Sequence, residues 1–213
     1  MSFFITFEGI DGCGKTTQLQ LLRTHLESAG HTVVTTREPG GTALAEAIRN
    51  YLLHSQQALA ARTELLLFGA ARAQHVAELI RPALQRGEIV LCDRFADSSM
   101  AYQGGGLGLD TQFVALMNDF ATDGVQPNVT FLLDLDPAVG RQRRSGETED
   151  RIEGRGSEFQ ERVRAAFLDI AQAEPERVVV IDAAHNAEVV HQSILDEIDK
   201  RSLMKSTTIQ ASL

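Results

Sequence analysis

Lys15 belongs to the run Gly9-Ile10-Asp11-Gly12-Cys13-Gly14-Lys15-Thr16, whose glycine, lysine and threonine spacing is that of a loop built to hold phosphate. Glycines let such a backbone turn with its N–H groups inward, and the helix that follows adds partial positive charge at its N-terminus. Lys15 supplies a full charge to the β- and γ-phosphates, and the Thr16 hydroxyl offers an oxygen to Mg²⁺. The loop is expected to bind ATP or GTP, and the expected ATP-binding set is Gly9, Gly12, Cys13, Gly14, Lys15, Thr16 and Thr17. The chain carries 17 arginines but only three lysines, at 15, 200 and 205. Composition alone would have put arginine at position 15.

Other residues could complete a phosphoryl-transfer site. Asp93-Arg94 ends an apolar run, where an acid can reach a magnesium shell and an arginine can grip an acceptor phosphate bidentately. Arg37-Glu38-Pro39-Gly40-Gly41 follows another such run, at the edge where open α/β sheets bind ligands. Phe68 and Arg72 are spaced i, i+4 and share one helix face, although spacing alone favours a core phenylalanine and a solvated arginine. The glycine-rich run from Gln103 to Gly108 is a poor helix former and is expected to be a loop beside the acceptor site. Five arginines, at 141, 143, 144, 151 and 155, face Glu147, Glu149, Asp150 and Glu153, a net charge of +1 that argues against a nucleic-acid patch.

Five apolar, β-branched or aromatic runs predict the strands that must position these groups: residues 3–8, 32–36, 89–93, 129–134 and 177–182. Most lack alternation, as strands covered on both faces do. Helical patterns near 15–29, 42–53, 63–85, 110–121, 158–172 and 186–199 separate them. The fold class predicted is α/β, a P-loop NTPase fold with a five-stranded parallel sheet flanked by helices on both faces. One domain over 1–201 is expected, with a lid segment at about 138–156 and a frayed tail at 202–213. A net charge of −9 disfavours nucleic-acid or anionic-membrane partners. No apolar run approaches the roughly 18 residues that span a bilayer, and the N-terminal residues carry no basic leader. Two cysteines, Cys13 and Cys92, are too few for a disulfide framework. The cytoplasm is the expected location.

Three ordered segments, Phe7-Glu8-Gly9-Ile10-Asp11-Gly12, Arg37-Glu38-Pro39-Gly40-Gly41-Thr42 and Asp93-Arg94-Phe95, resemble those of the thymidylate kinases, nucleoside monophosphate kinases that phosphorylate dTMP. Ser99-Met100-Ala101-Tyr102-Gln103 and Asp150-Arg151-Ile152-Glu153 extend the likeness over about residues 3–200. The resemblance implies that Glu38 and Pro39 contact the nucleoside, that Arg37 organises its phosphate, and that Asp11 orients its sugar. It further implies that Phe68 stacks on the pyrimidine, that Arg72 donates to its carbonyl edge, and that Ser99, Tyr102 and Gln103 face sugar and base. Tyr102 beside C2′ would favour deoxyribose. Gly12 stands where some members of the family carry a P-loop arginine, so the resemblance passes that charge to a lid arginine, with Arg143, Arg144 and Arg151 as candidates. A homodimer is also implied.

The expected reaction is in-line transfer of the γ-phosphoryl of Mg-ATP to dTMP, with no covalent intermediate and no general base. Lys15, Arg94 and a lid arginine supply charge, Thr16 and Asp93 hold magnesium, and Arg94 also belongs to the dTMP set. A kinase for another nucleotide on the same framework is the nearest alternative. A GTPase switch is disfavoured, since its guanine motif needs a lysine and none lies between 16 and 199.

Overall fold

A computed structural model describes residues 2–55, 57–146 and 150–201. β1 (Phe3–Glu8), β2 (Val33–Arg37), β3 (Ile89–Asp93), β4 (Val129–Asp134) and β5 (Val178–Asp182) form one parallel sheet in the order β2-β3-β1-β4-β5. All six expected helical regions are present: α1 (Lys15–Ser28), α2 (Ala43–His54), the stretch opened by α3 (Ala61–His75), α6 (Thr111–Thr122), α8 (Ser157–Ala173) and α9 (Ala187–Lys200). The expected tail at 202–213 lies outside the described residues, as do 147–149 of the expected lid.

Strand alternation sends alternate side chains of β1 to opposite faces of the sheet. Ile5 and Phe7 join Leu22, Phe131 and Phe167 in the main core, while Phe4 packs with Val76, Ile80 and Phe95 on the other side. Thr6 and Glu8 are buried and polar, and they sit under the carboxyl edge where the site forms.

The long third helix is not uniformly α. A π segment (Val76–Ile80) leads into α4 (Arg81–Gln85), and the Arg81 N–H bonds to the Val76 carbonyl. Pro82 explains the change, because a proline ring crowds the carbonyl four residues back and offers no N–H of its own.

The glycine-rich run departs from expectation more sharply. After a short α5 (Ala96–Ser99), residues Met100–Gly106 continue as a π-helix rather than a loop. The reason is packing: a Cβ on Gly105 would lie 2.4 Å from Ala166 Cβ, and one on Gly106 would lie 2.5 Å from the Phe159 ring. These glycines let the segment press against α8, and that contact outweighs their poor helix propensity.

α7 (Pro137–Arg143) opens the expected lid, capped by Asp136, whose carboxylate accepts from the Ala138 N–H. A 3-10 turn (Glu153–Arg155) closes it.

Candidate functional site

The P-loop joins β1 to α1, and Gly9, Gly12 and Gly14 all have positive φ, which only glycine adopts readily. Lys15 is buried and folds over the loop, donating from Nζ to the carbonyls of Ile10 (2.9 Å) and Gly9 (3.2 Å). Thr16 Oγ1 donates to Asp93 Oδ2 at 2.9 Å. The two residues expected at magnesium are therefore brought together from β3 and α1.

Gly12 does more than omit a charge. A Cβ there would lie 2.3 Å from the Gly140 carbonyl oxygen, and a Cβ on Gly140 would lie 2.6 Å from that of Asp11. Two glycines thus let α7 meet the P-loop backbone to backbone, which delivers Arg143 and Arg144 to a cavity of about 650 Å³ lined also by Lys15, Thr16, Thr17 and Asp93. Arg143 donates to the Ala183 carbonyl, whereas Arg144 pairs with Glu153 at 2.9 Å and keeps a buried Nε with no partner among the described residues. Arg151 is held elsewhere, donating to the Leu52 carbonyl and to Glu64. Gly9 is off the cavity wall; its carbonyl accepts from Lys15 and from Arg94.

A second cavity, of about 130 Å³, adjoins the first and shares Asp11, Glu38, Arg49, Arg94 and Glu153 with it. Pro39, Phe68, Ser99, Tyr102 and Gln103 line it, all of them expected at an acceptor. Arg94 spans the junction. Its Nη2 contacts Asp11 Oδ1 at 2.5 Å, its Nη1 donates to Gly9 O at 2.8 Å, and its guanidinium lies 4.9 Å from the Tyr102 ring centre. It adopts φ 69°, a conformation that non-glycine residues seldom take. Burial works against the charge of Arg94, but Tyr102, Asp11, Asp93 and Glu8 outweigh it and raise its pKa well above the usual guanidinium value. Burial likewise opposes ionisation of Asp11, yet Arg94, then Lys15 and Arg144, hold its carboxyl below the ordinary range.

Arg72 is placed differently from the expectation. It is 1% exposed and absent from the cavity wall, with Nε donating to Glu38 Oε2 (2.7 Å), Nη1 to Ser99 Oγ and Asn118 Oδ1, and Nη2 to the Phe95 carbonyl. Four of its five N–H donors are thus spent on protein. Its helix face points into the interior, so it braces Glu38 and Ser99 from behind. His75 adds a second hold on Glu38, with Nδ1 at 3.0 Å from Oε1 and Nε2 at 2.7 Å from Thr36 Oγ1. Arg37 lines the larger cavity but is half exposed and paired with Glu46.

Sequence reasoning missed three residues. Arg49 of α2 borders both cavities and donates to the Pro39 carbonyl; a single arginine on an amphipathic helix gives no signal of this. Glu8 accepts from the N–H groups of Phe95 and Ser98 and from the Ser98 hydroxyl, fixing the turn that carries Arg94. Burial, then the nearby Asp97 carboxylate, push Glu8 up to about 7 against Arg94 and the hydrogen bonds from Ser98 and Phe95. An acid at the last position of a buried strand was the available clue. Glu64, wholly buried on α3, collects Gln103, Arg151 and Arg155.

A parallel sheet with a glycine-rich loop between its central strand and a helix, and a threonine–aspartate pair beside the lysine, defines a P-loop NTPase fold. The thymidylate kinase family model matches residues 7–194. A curated thymidylate kinase of Bifidobacterium longum (strain DJO10A) is 53% identical over 199 residues, covering 92% of this chain and 96% of that protein. One from Symbiobacterium thermophilum is 49% identical over 195 residues, covering 91% of each. Among solved structures, the crystal structure of thymidylate kinase from Ehrlichia chaffeensis superposes with a TM-score of 0.77 at 42% identity, covering 92% of this chain and 98% of that one. The chain belongs to the thymidylate kinase family.

Proposed function

We propose that the chain phosphorylates dTMP to dTDP, taking the γ-phosphoryl of Mg-ATP by direct in-line transfer, in deoxythymidine nucleotide synthesis. The observation that carries this reading is the pair of adjoining cavities that share Asp11 and Arg94, one built on the P-loop and one lined by Phe68, Tyr102 and Gln103. ATP occupies the first and dTMP the second.

Lys15 exchanges its loop carbonyls for the β- and γ-phosphates. Arg94, aided by Arg49, holds the acceptor phosphate at the junction, and Arg144 reaches from α7 toward the transferring group. Positioning and charge neutralisation carry the rate, since phosphoryl transfer asks little covalent chemistry of the protein. Phe68 stacks on the pyrimidine, Tyr102 packs against the sugar, and Asp11 orients it. Glu38, Pro39 and Ser99 shape the wall, with Arg37 at the cavity mouth.

Thr16 and Asp93 are the residues that would hold Mg²⁺. Their oxygens are already in contact and suit a hard cation, and among the described residues no cluster of three or more His, Cys, Asp or Glu forms a complete protein cage. Mg²⁺ generally keeps waters and binds through one or two carboxylates plus phosphates, so this sparse set fits it. When bound, it neutralises charge on the β- and γ-phosphate oxygens.

The proposed organisation is one domain over residues 1–201 with a lid at about 138–156. A homodimer fits the exposed apolar stripe Phe113, Leu116 and Phe120 along α6, which packs beside α3 and its exposed Leu66. No helix among the described residues is long and apolar enough to cross a membrane, and a cytoplasmic setting suits the nucleotide substrates. The test is coupled-assay turnover with ATP across dTMP, dUMP, dCMP, dGMP and the ribose analogue of dTMP. Equal efficiency with dCMP or dGMP would overturn the assignment.

A further inference from the structure

Glu64 is wholly buried on α3, and its four acceptor positions are filled. Oε1 accepts from Gln103 Nε2 at 3.0 Å and from Arg155 Nη1 at 3.1 Å, while Oε2 accepts from Arg151 Nη2 at 2.7 Å and from Arg155 Nη2. Gln103 in turn lines the smaller cavity, and its Oε1 has no hydrogen-bond partner among the described residues. A glutamine amide is two-sided: turned over, it offers a donor where it had offered an acceptor. What faces its other end decides which side a ligand meets.

We propose that Glu64 is a positioning residue that sets the hydrogen-bonding sense of the base pocket, holding the Gln103 amide so that its carbonyl oxygen, not its NH₂, meets the pyrimidine. The inference rests on the acceptor reading above. An ionised carboxylate can only accept, so Gln103 must turn its NH₂ toward Glu64 and its oxygen toward the cavity. Burial alone would favour the protonated form of Glu64, but the hydrogen bonds from Arg155 and Arg151 hold its pKa below the usual range. These lid arginines thereby serve base recognition without touching the base. A pocket presenting an acceptor suits a base with a protonated N3, as in thymine and uracil, and opposes the bare N3 lone pair of cytosine.

Glu64→Gln reverses the pattern. Two arginines donate at the Oε2 position, so the new amide keeps its oxygen there and turns its NH₂ to Gln103, which must present its carbonyl to that NH₂ and its own NH₂ to the cavity. With wild type and E64Q, kcat/KM is measured for dTMP, dUMP and dCMP, alongside thermal unfolding. The dTMP:dCMP ratio should fall by roughly 10- to 100-fold, the range that a mismatched buried hydrogen bond spans, while the dTMP:dUMP ratio stays put. If wild type does not prefer dTMP to dCMP, the acceptor reading itself fails. If wild type is selective and folded E64Q is equally so, the role given to Glu64 is wrong. Should E64Q not fold, the Gln103 side-chain NH₂ protons of ¹⁵N-labelled wild type decide: protection from exchange in both the free and dTMP-bound protein supports the proposal, and loss of that protection when dTMP binds overturns it.

Discussion

Arg72 Nε donates to Glu38 Oε2 at 2.7 Å with both side chains buried, so Glu38, which lines both cavities, is braced by an arginine that stands behind the acceptor wall. Removing one partner of a buried pair strands the other charge, at a cost of about 3–5 kcal/mol. Arg72→Ala should therefore lower the denaturant midpoint steeply, and Arg72→Lys should restore little, because one ammonium cannot reach Glu38, Ser99, Asn118 and the Phe95 carbonyl together. Wild-type stability in R72A would show the network to be dispensable.

Lys15→Ala should lose at least about 10²-fold in kcat, the scale for removing one preorganised charge-stabilising donor. The side chain contacts loop carbonyls rather than the apolar core, so thermal unfolding should change little. Turnover and unfolding measured on one preparation check both halves.

Of the lid arginines, Arg144 keeps a buried Nε with no partner among the described residues, whereas Arg143 is tied to the Ala183 carbonyl and Arg151 to Glu64. Arg144→Ala should lower kcat by about 10³-fold or more with a smaller effect on KM for ATP. R143A and R151A should stay within about tenfold of the parent, well short of that loss. Steady-state kinetics of the three variants distinguish them.

Glu8, pushed up to about 7, keeps its proton in the folded state at pH values where the unfolded chain has released it. Its contribution to stability is full below the unfolded pKa and is lost as pH rises toward 7, up to about 3 kcal/mol. Glu8→Gln, which cannot ionise, should flatten this fall, so that its stability relative to wild type improves between pH 4.5 and 7. Urea titrations at several pH values report the slope; parallel curves for the two proteins would remove Glu8 as its source.

Gly105 meets Ala166 so closely that a methyl group cannot enter without displacing α8. Gly105→Ala should destabilise by about 1–3 kcal/mol despite the better helix propensity of alanine. Adding Ala166→Gly should recover much of the loss, a coupling that a double-mutant cycle measures.

The phosphate loop was legible in the sequence because its chemistry is local: consecutive residues supply the turn, the N–H groups, the lysine and the threonine. The five strands were legible for a similar reason, since burial on both faces demands short unbroken apolar runs. The contiguous motifs also hold Asp93, Arg94, Tyr102 and Gln103, which line one or both of the two cavities. Tertiary structure decided the rest. Glycines at 104–106 weaken a helix in isolation, and only the approach of α8 shows why one forms there. The buried networks of Arg72, Glu8 and Glu64 are not written along the chain. Their roles come from partners 23 to 91 residues away, and a charge removed from water takes its function from the groups that must neutralise it.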